Sequence, residues 1–316
     1  MSKRYYQRFH WTQLVEHWAM ALAFIALATT GLPQKFSDTA WAHAIAEFFG
    51  GVQMLREIHH IAAIVLILTA IAHLVGVGYR VFVLQTPLYM WLRWRDLRDL
   101  IQAIGYYLKL VPNYPKFDRY SFIEKLEYWA LIWGTVLMVL TGFILWNPIW
   151  FTSFLPGEIV PAAKAAHGYE AVLAVLAILT WHMYFVHFRH FNKSIFTGKL
   201  SEEELAHEHP LELERLQRGE PSPPSAESVA RRRRVFVPVA AFVALLLLAG
   251  TFYMITVEQT AIETVALPGK APMIPHSLEL RSDCLACHNL QAQWPFPIDH
   301  TGRGNESCLS CHWPSK

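Results

Sequence analysis

Five apolar stretches dominate this chain of 316 residues. They run over about 14–32, 59–84, 126–146, 167–188 and 235–257, and each is long enough to cross roughly 30 Å of hydrocarbon as about 20 helical residues. In lipid only helices or closed barrels satisfy their own backbone groups, and these stretches lack the alternation of strands, so they read as transmembrane helices. Composition agrees: 53% of residues are hydrophobic and 16% charged, against about a quarter charged in a soluble domain. Such a chain is neither disordered nor an ordinary cytoplasmic enzyme, and a net charge of +2 gives no reason to expect a nucleic-acid partner. The first span begins too wet and too aromatic for a cleavable signal peptide, with no small-residue cleavage site after it.

The placement of charge sets an expected topology. Lys3, Arg4 and Arg8 precede the first span; Arg93, Arg95, Arg98, Lys109, Lys116, Arg119 and Lys125 separate the second from the third. Arg189, Lys193, Lys199, Arg215, Arg218 and the run Arg231 to Arg234 lie between the fourth and fifth. The other loops hold only Lys35, Arg56 and Lys164. By the positive-inside rule the N-terminus is expected in the cytoplasm of a prokaryotic-type inner membrane, and five spans leave the C-terminal tail outside. The Arg231–Arg234 run also fits a nucleic-acid or localisation patch, but beside an apolar helix it reads as a topology signal. Ser201 followed by Glu202, Glu203 and Glu204 is a helix-start signature, and 221–225 reads as a Pro/Ser-rich flexible linker. The segment 33–56 reads as an outer loop with an interfacial helix, and no repeat of fixed period is evident.

All four cysteines follow residue 283, in Cys284-Leu285-Ala286-Cys287-His288 and Cys308-Leu309-Ser310-Cys311-His312. Each C-x-x-C-H spacing lets two thiols add to the vinyl groups of one haem while the next histidine becomes the proximal iron ligand. Four cysteines with nearby histidines also suit a zinc site, or the cysteines could form disulfides. Two complete motifs that use every cysteine, on the side of the membrane where c-type haem is attached, favour two haems c. His276 and His300 are the only other tail histidines, and they are expected as the sixth ligands, with their assignment to one haem or the other left open. The tail has few apolar residues, so the haems must supply much of its core.

Histidine is uncommon inside membrane helices and marks function by default. His59 and His73 are 14 apart on the second span; His167 and His182 are 15 apart on the fourth. Each pair lies within about 60° of one helix face and roughly 21–22 Å apart along the axis. Both helices run in the same direction, so His59 is level with His167 and His73 with His182, as two haems stacked across the bilayer require. His17, on the first span, is level with His73 and His182. Glu170, one turn from His167, is a candidate proton carrier.

The segments RFHWTQLVEHWAMALAFIALATTGL, LREIHHIAAIVLILTAIAHL and KAAHGYEAVLAVLAILTWHMYFVH resemble the membrane cytochrome b subunits of formate dehydrogenases, nickel–iron hydrogenases and thiosulfate reductases over about residues 8–190. The resemblance implies a four-helix, quinone-reactive protein with two haems b, the outer one held by His59 and His167 and the inner by His17 and His182. His73 departs from that pattern. The 14/15 spacing instead resembles the cytochrome b of quinol:cytochrome c oxidoreductases, where two helices supply all four ligands. The inner haem therefore has three claimants for two places, and a third haem b, using the spare histidine with His187, is the alternative. By the same family analogy, the quinone pocket falls beside the inner haem near His182 and His187.

The expected architecture is an all-α membrane protein: a four-helix haem b domain (1–190), a cytoplasmic linker (191–234), a fifth transmembrane helix (235–257) and a mostly irregular di-haem c tail (258–316). No nucleophile triad, nucleotide-binding glycine loop, or molybdenum or iron–sulfur site is recognisable, so no catalytic residue is expected beyond the cofactors. The reading is electron transfer between menaquinone or ubiquinone and an extracytoplasmic electron-transfer protein, within a respiratory or photosynthetic complex. A quinone-independent transmembrane conduit and a haem-based sensor are the alternatives.

Overall fold

A computed structural model describes residues 4–188, 191–220 and 222–257 and, in the tail, 274–279, 283–289, 291, 295–296, 300, 304–305, 308–309 and 312. Cys311, His190 and the His187 side chain lie outside the described residues. The chain divides into two compact units, Met1–Leu145 with Glu158–Thr256, and Trp146–Gly157 with Val257–Lys316.

In the first unit a short strand β1 (Tyr5–Gln7) leads into α1 (Trp11–Lys35). His10 caps α1, with Gln13 reaching back to the His10 amide at 3.0 Å. The short helix α2 (Ala40–Phe48) follows in the segment expected as an outer loop, with Trp41 and Phe48 exposed. Then come α3 (Val52–Gly78), prolonged by a π-helical turn Tyr79–Val83, and the amphipathic α4 (Trp94–Tyr107). The remaining long helices are α5 (Phe122–Trp146), whose last residue falls in the second unit, and α7 (Ile159–Ala177), prolonged by π-helical turns Ile178–His182 and Tyr184–Phe188. The short α6 (Pro148–Thr152) belongs to the second unit. Next are α8 (Ser194–Thr197), β2 (Lys199–Ser201), α9 (Glu202–Glu208), α10 (Pro210–Gln217) and α11 (Ala226–Thr256).

Five of these helical stretches are long and apolar enough to cross a membrane: Trp11–Lys35, Val52–Val83, Phe122–Trp146, Ile159–Val186 and Ala226–Thr256. Their outward leucines, such as Leu22, Leu68, Leu140 and Leu245, are exposed in the isolated chain, as lipid-facing side chains must be. α1 packs along α3, and α11 packs on α3 and its π turn, where Phe236 meets Tyr79 and Phe82.

The Ser201 signature marks a helix start: Ser201 and Glu204 form a capping box at α9. The segment expected as a linker is largely folded up to Gln217. β1 pairs antiparallel with β2, and Leu205, His209 and Glu212 are buried. Arg8, 4% exposed, donates to Glu124 at 3.0 Å, to His209 Nε2 at 3.1 Å and to the Arg119 carbonyl. Arg119 returns a bond to the Arg8 carbonyl at 2.6 Å and pairs with Glu212 at 3.0 Å, while Arg215 also meets Glu212. Lys125 on α5 bonds Asp96 on α4 at 2.7 Å, both buried. These charges look like solvated loop residues in the sequence; the fold gathers them because each finds an opposite charge or a carbonyl when it leaves water.

His209 gives this region a pH dependence. Its Nδ1–H donates to the Asp118 carbonyl at 2.8 Å, and burial, then the Arg8 guanidinium, pushes its pKa down to about 4. A depressed folded-state value contributes stability in full above the unfolded value of about 6.5, and that contribution is lost as pH falls toward 4. Glu208 and Glu212, pushed up chiefly by burial, act with the opposite sign. Between pH 7 and 4.5 the protection factors of the Leu200 and Leu205 amides, exchange measured against the intrinsic rate at each pH, are therefore expected to fall in the parent protein and to fall less in His209→Gln. An equal fall in the two would remove His209 as the cause.

Candidate haem-binding sites

The bundle brings four of its histidines together in pairs. His59 on α3 faces His167 on α7 with ring centroids 6.3 Å apart. His17 on α1 faces His182, in the π turn that extends α7, also at 6.3 Å. In the second unit the short helix α12 (Cys284–Cys287) is capped by Asp283, and the histidine after it, His288, lies 6.3 Å from His276 with rings nearly parallel at 9°. His300 lies 6.2 Å from His312. Thus each C-x-x-C-H histidine faces another histidine: His276 beside the first motif and His300 beside the second. Asn305 ties the motifs together, accepting from the Leu285 amide at 2.9 Å and donating to Asp283 at 2.7 Å.

The common separation is informative. A metal–nitrogen bond of about 2 Å on each side, with each ring centre about 1 Å beyond its nitrogen, puts facing imidazole centroids roughly 6 Å apart. The second ring nitrogen completes the test, because its hydrogen bond decides which nitrogen keeps a lone pair. Thr30 donates its hydroxyl to the Ala26 carbonyl at 2.7 Å and so accepts the Nδ1–H of His59 at 2.9 Å. Thr141 does the same for His167, donating to Leu137 at 2.6 Å and accepting at 2.9 Å. The Glu127 carboxylate accepts from His182 Nδ1 at 2.9 Å, and the Ser277 carbonyl from His276 Nδ1 at 3.2 Å. In all four rings the Nδ1–H tautomer puts the lone pair on Nε2, the nitrogen that could bind a metal. Small residues leave room: a Cβ on Gly31 would stand 2.9 Å from His59 Cε1, and one on Gly142 3.4 Å from His167 Cε1. These residues fit haem.

His73 is placed differently. Its Nδ1 donates to Glu16 at 2.9 Å and its Nε2 accepts from the Tyr128 hydroxyl at 3.1 Å. Both ring nitrogens are engaged, and His17, not His73, stands opposite His182. Glu170 lies over Gly134 of α5, its carboxyl 2.8 Å from where a Cβ would be, and the Lys35 ammonium sits 3.9 Å from the centre of the Tyr169 ring.

The model of the family described as prokaryotic cytochrome b561 matches residues 8–198, the stretch that carries the four paired bundle histidines. The chain belongs to this family. It is 28% identical over 163 residues to the formate dehydrogenase cytochrome b556(fdo) subunit of Escherichia coli K12, covering 50% of this chain and 68% of the relative. It is 22% identical over 216 residues to the nitrate-inducible formate dehydrogenase cytochrome b556(Fdn) subunit of the same strain, covering 67% of this chain and 92% of the relative. This b561-family cytochrome is thus a multi-pass membrane protein that carries haem b and serves electron transfer.

Sequence spacing does not single out Thr30, Thr141, Glu16, Glu127 or Tyr128. The available signal was polar residues inside apolar spans, two of them as Thr-Gly pairs one turn from the end of a span.

Proposed function

We propose that this cytochrome moves electrons between menaquinone or ubiquinone in the bilayer and an extracytoplasmic redox partner, as a subunit of a respiratory or photosynthetic oxidoreductase. The observation that carries the reading is the set of four histidine pairs at 6.2–6.3 Å, two in each structural unit. In the bundle His59 with His167, and His17 with His182, would hold two haems b. In the tail Cys284 and Cys287 with His288 and His276, and Cys308 and Cys311 with His312 and His300, would hold two haems c. Haem supplies reversible one-electron chemistry when bound.

The chain's own part is to orient the ligands. Thr30 and Thr141 hold the His59 and His167 rings through neutral hydroxyls, whereas Glu127 holds His182 through a carboxylate, which makes that imidazole the stronger donor. The basic loops support a cytoplasmic N-terminus and an outer C-terminal tail, and the relatives named as formate dehydrogenase subunits support membership of a larger complex. The quinone pocket is placed by family analogy beside His182, at the end of the bundle where α7 passes into its π turns.

The test uses the full chain in lipid vesicles. A menaquinol or ubiquinol analogue is expected to bring up the reduced bands of both haem types, and quinone-site inhibitors are expected to slow this. Bands that respond to dithionite but to neither quinol overturn the quinone link.

A further inference from the structure

The two hairpins of the bundle, α1 with α3 and α5 with α7, carry the same residues at the same places. On the first helix of each, Glu16-His17-Trp18-Ala19 corresponds to Glu127-Tyr128-Trp129-Ala130, and at equal intervals beyond them Thr30-Gly31 corresponds to Thr141-Gly142. On the second helix, His59 corresponds to His167 and His73 to His182. The contacts repeat as well. Thr30 holds His59 as Thr141 holds His167, each at 2.9 Å, and Glu16 holds His73 as Glu127 holds His182, each at 2.9 Å. The one extra residue between His167 and His182 falls where the helix widens into the π turn Ile178–His182. A π turn absorbs a single insertion without rotating the helix beyond it, so His182 keeps the position that His73 has on its own helix. That insertion, and the unequal loops between the hairpins, hide the repeat from a search for a fixed period.

The repeat relates the two hairpins as parallel copies about an axis along the membrane normal. At the outer level this makes one site, since His59 and His167 are counterparts and face each other. At the inner level it makes two. The pair His17 and His182, with ring centroids 6.3 Å apart, has as its counterpart Tyr128 and His73, at 5.9 Å. Three of the four inner residues are histidine and the fourth is tyrosine.

We propose that the bundle contains a second inner haem position around His73, and that Tyr128 closes it. The proposal rests on the reading that His17 and His182 hold a haem. Tyr128 acts through its hydroxyl, which donates to His73 Nε2, the nitrogen that would otherwise face a metal, while Glu16 keeps the ring in the same tautomer that Glu127 gives to His182. The bundle therefore takes two haems b and not three, and the residue at position 128 sets that number.

Haem counting by pyridine haemochrome tests this, with the covalent haem c as an internal ruler. Tyr128→His is expected to raise haem b from two to three per two haems c, and His17→Tyr to lower it to one. The double exchange, His17→Tyr with Tyr128→His, is expected to return it to two by moving the haem to the other inner position. Tyr128→Phe, which removes the hydroxyl but supplies no ligand, stays at two. A Tyr128→His protein with two haems b overturns the proposal, as does a double exchange with one. Should the single variant not accumulate, the double exchange carries the same test. A parent protein without two haems b per two haems c contradicts the underlying haem reading instead, so the two failures are told apart.

Discussion

His17→Ala protein is expected to purify with one haem b, and the parent and His73→Ala with two each. The two histidines are level in the bilayer and equally plausible from spacing alone, so the difference comes from their surroundings. His17 faces His182, whose Nδ1 is held by Glu127. His73 has Glu16 on one nitrogen and Tyr128 on the other, and its side chain is 37% exposed. Removing His17 takes away one of two axial ligands; removing His73 breaks two hydrogen bonds, at a cost of about 1–3 kcal/mol in a part-exposed setting. The check is the b-type α-band per haem c in purified protein. Loss of a haem b from His73→Ala with retention in His17→Ala would reverse the assignment.

The largest effect on stability is expected at Arg8. Its side chain is nearly fully buried and binds Glu124, His209 and the Arg119 carbonyl, joining the strand before α1 to α5 and to the α9–α10 segment. Arg8→Ala leaves the Glu124 carboxylate, 35% exposed, without its strongest cation, so the cost falls below that of a fully buried pair broken from one side, about 3–5 kcal/mol, to roughly 2–4 kcal/mol. In a domain of this size that lowers the thermal midpoint by on the order of 10 °C. Arg8→Lys restores the charge but not the three-way fork and is expected to recover only part of the loss. The measurement is thermal unfolding of the first unit, followed by loss of the b-type Soret band in detergent. A shift of about 2 °C or less would show that the network contributes little.

The two kinds of site differ in how far the sequence reveals them. The five helices are legible because the bilayer imposes a length and an apolar composition on each one separately. The C-x-x-C-H motifs are legible because the covalent haem attachment proposed for them requires a local spacing, Cys284 to His288 and Cys308 to His312. The depth of His59, His73, His167 and His182 follows from helical rise. The choice between His17 and His73 does not, because the proposed assignment rests on the contacts that Tyr128 and Glu16 make with His73 from other helices, and no local spacing reports a contact across a bundle. The interval between His167 and His182 is misleading for a similar reason: a uniform α-helix is assumed, and the π turn changes the register. Segment 199–217 reads as a polar connector because Arg119, Glu212 and Arg215 look alike whether they face water or each other. The pairings of His276 with His288 and of His300 with His312 are likewise contacts between residues that sequence order leaves ambiguous.

The central claim is that this chain holds four haems, two of each type, at four histidine pairs. Pyridine haemochrome analysis of the purified full-length chain, normalised to protein by amino-acid analysis, tests it most directly. Two haems b and two haems c per chain is the predicted result. A ratio of b to c well away from one, or a tail that carries no covalent haem, would contradict it.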